Sequence, residues 1–201
     1  MTANSIIAVV DDDPSTRDSL RALLTSAGYQ VRVYGSAEAY LRDDNSGVNC
    51  VVTDLRMPQM NGVELLGEIT KRETGVPVIL ISGDGDLALA IGAMKTGAVD
   101  FIEKPFAHDD FLERVDRALR LGKRTRSDRD AARIAQGMLA LLTKREASVL
   151  DQLLSGRSNK LAAFELGISP RTIEIHRSHI MHKLKVRSMS DLVRIALSAQ
   201  Q

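Results

Sequence analysis

Six polar residues carry the chemistry available in the first half of the chain: the run Asp11-Asp12-Asp13, then Asp54, Ser82 and Lys104. Each stands at the end of a short apolar run. Carboxylates that converge repel one another unless a hard cation joins them, and Mg²⁺, which keeps part of its water shell, is the natural choice. A carboxylate beside such an ion can attack phosphorus and form an acyl phosphate. Lys104 can neutralise a phosphoryl oxygen and the Ser82 hydroxyl can donate to another. The set therefore suits phosphoryl transfer, in which positioning and charge stabilisation do most of the work. Any one of these acids could equally cap a helix; only their common placement points to chemistry.

The apolar runs that must position them read as strands over 6–10, 30–34, 49–53, 77–81 and 99–102. Helical spacing falls between them, over 14–27, 36–43, 62–72, 86–96 and 108–121. Asp13-Pro14 supplies an N-cap followed by proline in the first turn. Asn61 with Glu64 starts the third helix in the manner of a capping box. Five strand–helix units in succession predict an α/β doubly wound, five-stranded parallel sheet with helices on both faces. Strand 1 then runs into Asp11, strand 3 into Asp54, strand 4 into Ser82 and strand 5 into Glu103-Lys104-Pro105. All four endings share the carboxyl edge, where such folds bind ligands.

Composition narrows the class. The chain has 201 residues, 44% hydrophobic and 26% charged, as globular proteins do. The single Cys50 excludes a disulfide framework and a multi-thiolate metal site, and fits a reducing cytoplasm. No apolar run approaches the length of a membrane span, and the run 6–10 has no basic leader, so neither a membrane helix nor a signal peptide is expected. The net charge of +1 hides a division: residues 1–122 hold 12 basic and 19 acidic residues, while 123–201 hold 15 and 7. A −7 half joined to a +8 half predicts two modules, the second suited to nucleic acid. The stretch 122–130 is charged and lacks an apolar stripe, so it reads as a linker; 131–142 is helix-prone and extends it. The expected division is 1–122, a linker at 123–141 that is partly helical, and 142–201.

No strand signal appears after the linker. Thr143 and Glu146 form a capping box before a helix to about 154. Ser158 caps a short helix that Gly167 ends, Ser169-Pro170 opens a longer one to about 184, and a last helix covers 189–199. Four short helices with tight turns predict an all-α domain containing a helix-turn-helix. On its third helix Ile173, Ile180 and Leu184 mark an inward stripe, with His176 or Arg177 beside it. Arg171, Glu174, Ile175, Ser178 and His182 then face outward, as a helix entering the major groove requires. Glu174 can accept from a cytosine amino group and Ile175 can touch a thymine methyl. Lys160, Arg171, Thr172, Arg177 and Lys183 suit phosphates, which position without reading sequence. His176, His179 and His182 spread over about 120° of the helix, which argues against a zinc site.

The segments VVDDDPSTRDSL, TDLRMPQMNGVEL, ISGDGD and AMKTGAVDFIEKPF, with their spacing, resemble the receiver domain of two-component response regulators. The resemblance implies that Asp54 accepts a phosphoryl group from a sensor histidine kinase. It implies that Asp11, Asp12, Asp54 and the backbone carbonyl of Arg56 hold Mg²⁺, that Ser82 and Lys104 bind the phosphoryl group, and that Phe101 is the aromatic switch. It also implies a cis peptide at Lys104-Pro105. The segment 142–197 is similar to the NarL/LuxR-type DNA-binding domain, carried by Thr143-x-x-Glu146, Gly156-x-x-Asn159-Lys160, Leu166-Gly167-Ile168-Ser169, Thr172 to His176 and Lys183-Leu184. Family base-contacting positions fall on Glu174, Ile175 and Ser178. Together the two resemble FixJ-type regulators, which commonly read Gly-His-Gly-Asp where this chain has Gly83-Asp84-Gly85-Asp86. Asp84 and Arg56 are expected to approach each other over the site and set the lifetime of the phosphoryl group.

The expected cycle is phosphorylation of Asp54, inward movement of Ser82 and Phe101, homodimer formation through roughly 86–102, binding of two promoter half-sites, and recruitment or blocking of RNA polymerase. Two other readings stand beside it. Asp11-x-Asp13 also fits a haloacid-dehalogenase-like phosphatase with Asp11 as nucleophile and Asp13 as acid. The receiver could also be a scaffold for a phosphorylation-independent DNA binder.

Overall fold

The structure, a computed structural model, describes residues 5–72, 74–83 and 87–199. Chain contacts divide it into two compact units, one reaching to Arg126 and the other starting at Ser127.

The first unit alternates strands and helices: β1 (Ile6–Val10), α1 (Pro14–Ser26), β2 (Gln30–Tyr34), α2 (Ala37–Arg42), β3 (Val48–Asp54), α3 (Gly62–Lys71), β4 (Val78–Ser82), α4 (Leu87–Thr96), β5 (Asp100–Glu103) and the part to Arg126 of α5 (His108–Leu139), the rest of which belongs to the second unit. The five strands are parallel in the order β2-β1-β3-β4-β5. Strand order reverses at β1/β3, so the ends of those two strands open a crevice at the carboxyl edge. Two-residue alternation sends side chains to two cores. Ile7, Val9, Cys50, Val52, Ile79 and Ile81 pack with α1 and α5, around Phe111. Ala8, Val10, Val51, Val78 and Leu80 pack with α2 and α3, around Leu65 and Leu66. Full burial of each Leu or Ile contributes roughly 1.5–3 kcal/mol. The predicted caps form: Asp13 accepts from Ser15 N and Thr16 N, and Asn61 with Glu64 closes a capping box.

The stretch 122–130 is helical throughout, part of α5 unbroken from His108 to Leu139, where a partly helical linker was expected. Its missing apolar stripe marks a helix bathed by solvent, because Lys and Arg propagate helix without a packed face. Its early turns are fastened to the sheet's amino end. A Cβ on Gly122 would lie 2.6 Å from Pro77 Cδ, and the Arg126 guanidinium donates to the Val48 carbonyl.

The second unit continues with α6 (Lys144–Leu154), α7 (Asn159–Leu166), α8 (Pro170–Lys183) and α9 (Met189–Ser198). Val149, Leu150, Ala162, Ala163, Ile173, Ile180, Leu184 and Leu192 form its core. Thr143 and Glu146 close the predicted capping box, and Gly167 ends α7 with φ 63°, the left-handed turn that redirects the chain into α8.

Candidate phosphoryl-transfer site and nucleic-acid interface

At the carboxyl edge, Lys104 Nζ lies 2.7 Å from Asp54 Oδ1 and 3.5 Å from Asp11 Oδ2. One ammonium thus serves two carboxylates, the electrostatic need anticipated for this cluster. Asp54 ends β3, and its other oxygen accepts from Arg56 N at 2.7 Å. Asp11 is buried; its Oδ1 accepts from Asp13 N at 2.8 Å, and its carbonyl accepts from Arg17 Nη1 at 2.6 Å. Burial raises the Asp11 carboxyl above its ordinary pKa; Asp54 adds to the rise, while Asp13 N and Lys104 oppose it. For Lys104, burial opposes the charge, but the hydrogen bond and charge of Asp54, with Asp11, outweigh it and hold the ammonium above its usual value. Among the described residues Ser82 Oγ, at the end of β4, is buried and has no hydrogen-bond partner. A buried hydroxyl left unmatched can donate to an incoming acceptor. The Lys104-Pro105 peptide is cis.

Asp12, next to Asp11, is exposed, and among the described residues no three Asp, Glu, His or Cys side chains gather to hold a metal ion. The oxygen donors of Asp11, Asp12, Asp54 and the Arg56 carbonyl suit Mg²⁺ in kind, and Lys104 marks where positive charge is needed. Phe101 is half-buried against the α2/α3 core. Asp84 lies outside the described residues, so its expected approach to Arg56 cannot be placed.

Two contributors to the site escaped the sequence reading. Arg17 braces the Asp11 backbone. Gly62 begins α3 so close to β3 that a Cβ there would lie 2.4 Å from the Asp54 carbonyl oxygen. The glycine in the Asn61-Gly62-Val63 stretch was the available signal.

Asp13, the acid in the phosphatase reading, is a helix cap: its carboxylate accepts from Thr16 Oγ1 at 2.7 Å and from the N–H of Ser15 and of Thr16, which lower its pKa.

On α8, Ile173 and Ile180 are buried with Leu184 following, while Arg171, Glu174, Ile175, Ser178 and His182 are exposed. Lys160 on α7 is exposed, Arg177 is partly buried, and Thr172 Oγ1 pairs with Ser169 Oγ at 2.8 Å. Lys183 is exposed, and its Nζ lies 2.7 Å from Glu146 Oε2. That carboxylate also accepts from Thr143, and Lys183 and Thr143 together hold Glu146 down to about 2. Lys183 thus ties the end of α8 to the α6 cap. The three α8 histidines join no metal-holding group among the described residues.

Residues 7–116 match the family described as Response regulator receiver domain, and residues 140–196 match Bacterial regulatory proteins, luxR family. The chain therefore belongs to the response regulators, with a receiver followed by a luxR-type DNA-binding domain. Within them it is FixJ-like. It is 42% identical over 201 residues to the transcriptional regulatory protein FixJ of Bradyrhizobium diazoefficiens, covering 99% of this chain and 98% of that one. It is 44% identical over 195 residues to FixJ of Rhizobium meliloti, covering 96% and 95%. The solved structure of the response regulator StyR matches with TM-score 0.80 at 37% identity, covering 98% of this chain and 99% of that one. Full-length FixJ from B. japonicum matches with TM-score 0.59 at 42% identity, covering 98% and 97%. The chain is a two-component transcription regulator, and neither matching family is a catalytic enzyme family. Among the described residues no helix is long and apolar enough to cross a membrane.

Proposed function

We propose that Asp54 is the phospho-acceptor and that its phosphorylation controls promoter binding. The observation that carries this is the Asp54–Lys104–Asp11 cluster, together with a buried Ser82 hydroxyl that has no partner among the described residues. An Asp54 carboxylate oxygen attacks the phosphorus of a phosphohistidine on a sensor kinase. The new P–O bond forms as the P–N bond breaks, and the imidazole leaves with a proton. Lys104 pairs with one phosphoryl oxygen and Ser82 Oγ donates to another. Asp11, Asp12, Asp54 and the Arg56 carbonyl would hold Mg²⁺, which when bound neutralises phosphoryl charge. Ser82 and the β4 and β5 loops draw toward the phosphoryl group, and Phe101 follows inward.

The α4/β5 face then pairs with a second receiver. Leu89, Ile91 and Met94 are exposed there, an apolar surface suited to pairing. The paired chains place two α8 helices on two half-sites. Glu174, Ile175 and Ser178 meet bases, while Lys160, Arg171, Thr172 and Arg177 meet phosphates. Transcription changes by recruiting or blocking RNA polymerase. Protein incubated with acetyl phosphate and Mg²⁺ is expected to gain one phosphoryl group by intact-mass spectrometry, and Asp54→Asn none. Equal promoter occupancy by wild type and Asp54→Asn, with and without phosphodonor, would instead establish the phosphorylation-independent binder.

A further inference from the structure

Next to Phe101, one buried carboxylate joins β5 to α5. Asp100 is only 8% exposed. Its Oδ1 accepts from the Phe101 backbone N–H at 2.9 Å and from Arg114 Nη1 at 3.1 Å, and its Oδ2 accepts from Arg117. Arg114 is steadied in turn by Asp110, whose Oδ2 lies 2.9 Å from its Nε. The two arginines stand one turn apart on the face of α5 toward β5. A carboxylate bridged by two guanidiniums is a stiff joint, because breaking either side leaves charge uncompensated in a partly dry place. The phosphoryl cluster uses none of these groups.

Position gives the joint its meaning. β5 begins with Asp100 and Phe101 and delivers Lys104 just past its carboxyl end, so a movement of that strand toward the phosphoryl group pulls on Asp100. α5 is the helix that the chain follows onward to Leu139. We propose that Asp100, with Arg114 and Arg117, is a positioning link that passes the displacement of β5 and Phe101 to α5. The inference rests on the phosphorylation reading above. Asp100→Asn keeps an acceptor for the Phe101 N–H and removes the charge that grips α5. Arg114→Gln with Arg117→Gln opens the same joint from the helix side, should Asp100→Asn fail to fold.

The test is hydrogen exchange on the full chain, with and without beryllofluoride and Mg²⁺ as a phosphoryl mimic. In wild type the mimic is expected to change exchange in 78–82, 100–103 and the receiver part of α5, 108–126. In the variants the change at 78–82 persists and that at 108–126 shrinks by about fivefold or more. Adduct formation with acetyl phosphate stays at the wild-type rate, a result that a merely structural role for Asp100 does not give. A persistent α5 response in the variants, a wild-type response confined to 78–82 and 100–103, or loss of adduct formation in the variants overturns the link. A wild type that responds nowhere overturns the phosphorylation reading itself, and the link with it.

Discussion

Lys104 Nζ stands 2.7 Å from Asp54 Oδ1, and the same ammonium reaches Asp11 at 3.5 Å. Removing it leaves two carboxylates facing one another and a phosphoryl oxygen without its counter-charge. Lys104→Met is expected to slow adduct formation from acetyl phosphate on the order of 100-fold, the usual loss for one preorganised donor. Phosphate-affinity electrophoresis over time measures it; a rate within twofold of wild type would contradict the assignment.

Gly62 admits α3 against the backbone of Asp54, the proposed acceptor. A methyl group there meets the Asp54 carbonyl oxygen at 2.4 Å and Leu55 Cα at 3.1 Å, neither of which can swing aside. Gly62→Ala is expected to cost about 3 kcal/mol in urea unfolding of the receiver. It also displaces Asp54, so adduct formation falls along with stability.

Gln59 lies in the β3–α3 loop with φ 69°, a left-handed conformation that costs a residue with a side chain about 1–2 kcal/mol. Glycine removes that strain but adds freedom to the unfolded chain. The balance favours Gln59→Gly by roughly 0.5–1 kcal/mol. Urea midpoints at constant slope provide the comparison.

Glu146 is buried at the α6 cap, where Lys183 and Thr143 lower its pKa to about 2 from an ordinary 4.5. A carboxylate depressed by folding contributes stability that is full above its unfolded value and is lost as pH falls through its folded value. The second unit should therefore lose stability between about pH 4.5 and 2. Other acids titrate there too, so the informative quantity is the difference from Glu146→Gln, which retains a cap acceptor. The variant is expected to be less stable at pH 7, with the gap closing through that window.

Ile175 is 48% exposed on α8, with Glu174 exposed beside it. Truncating either to Ala should leave stability within about 0.5 kcal/mol. Selection from a random DNA library should show base preference relaxing by about 1–3 kcal/mol at one position of each half-site. Arg171→Ala should weaken all sequences alike and reduce the salt slope by about 1.

The alternation of apolar runs and helical segments, the caps at Asp13, Asn61, Thr143, Ser158 and Ser169, and the stripe on α8 were all legible along the chain. Each depends on neighbours within a turn or two, where spacing and side-chain type suffice. The helix through 122–130 was not legible there, because a missing apolar face is not a missing helix. The packing of Gly122 on Pro77 and the bond from Arg126 to Val48 join distant segments that no local pattern reveals.

The sequence by itself determined the two modules, the parallel sheet, the acids at its edge and the outward face of the recognition helix. Tertiary structure alone decided which of these residues meet. Lys104 finds Asp54 and Asp11 across 50 and 93 positions, and Lys183 finds Glu146 across 37. Asp11 is buried where its neighbour Asp12 is exposed, and Asp100 grips α5. Periodicity says which face a side chain takes; the end-to-end placement of packed strands and helices decides which charge lies within hydrogen-bond reach, and charges act over that distance.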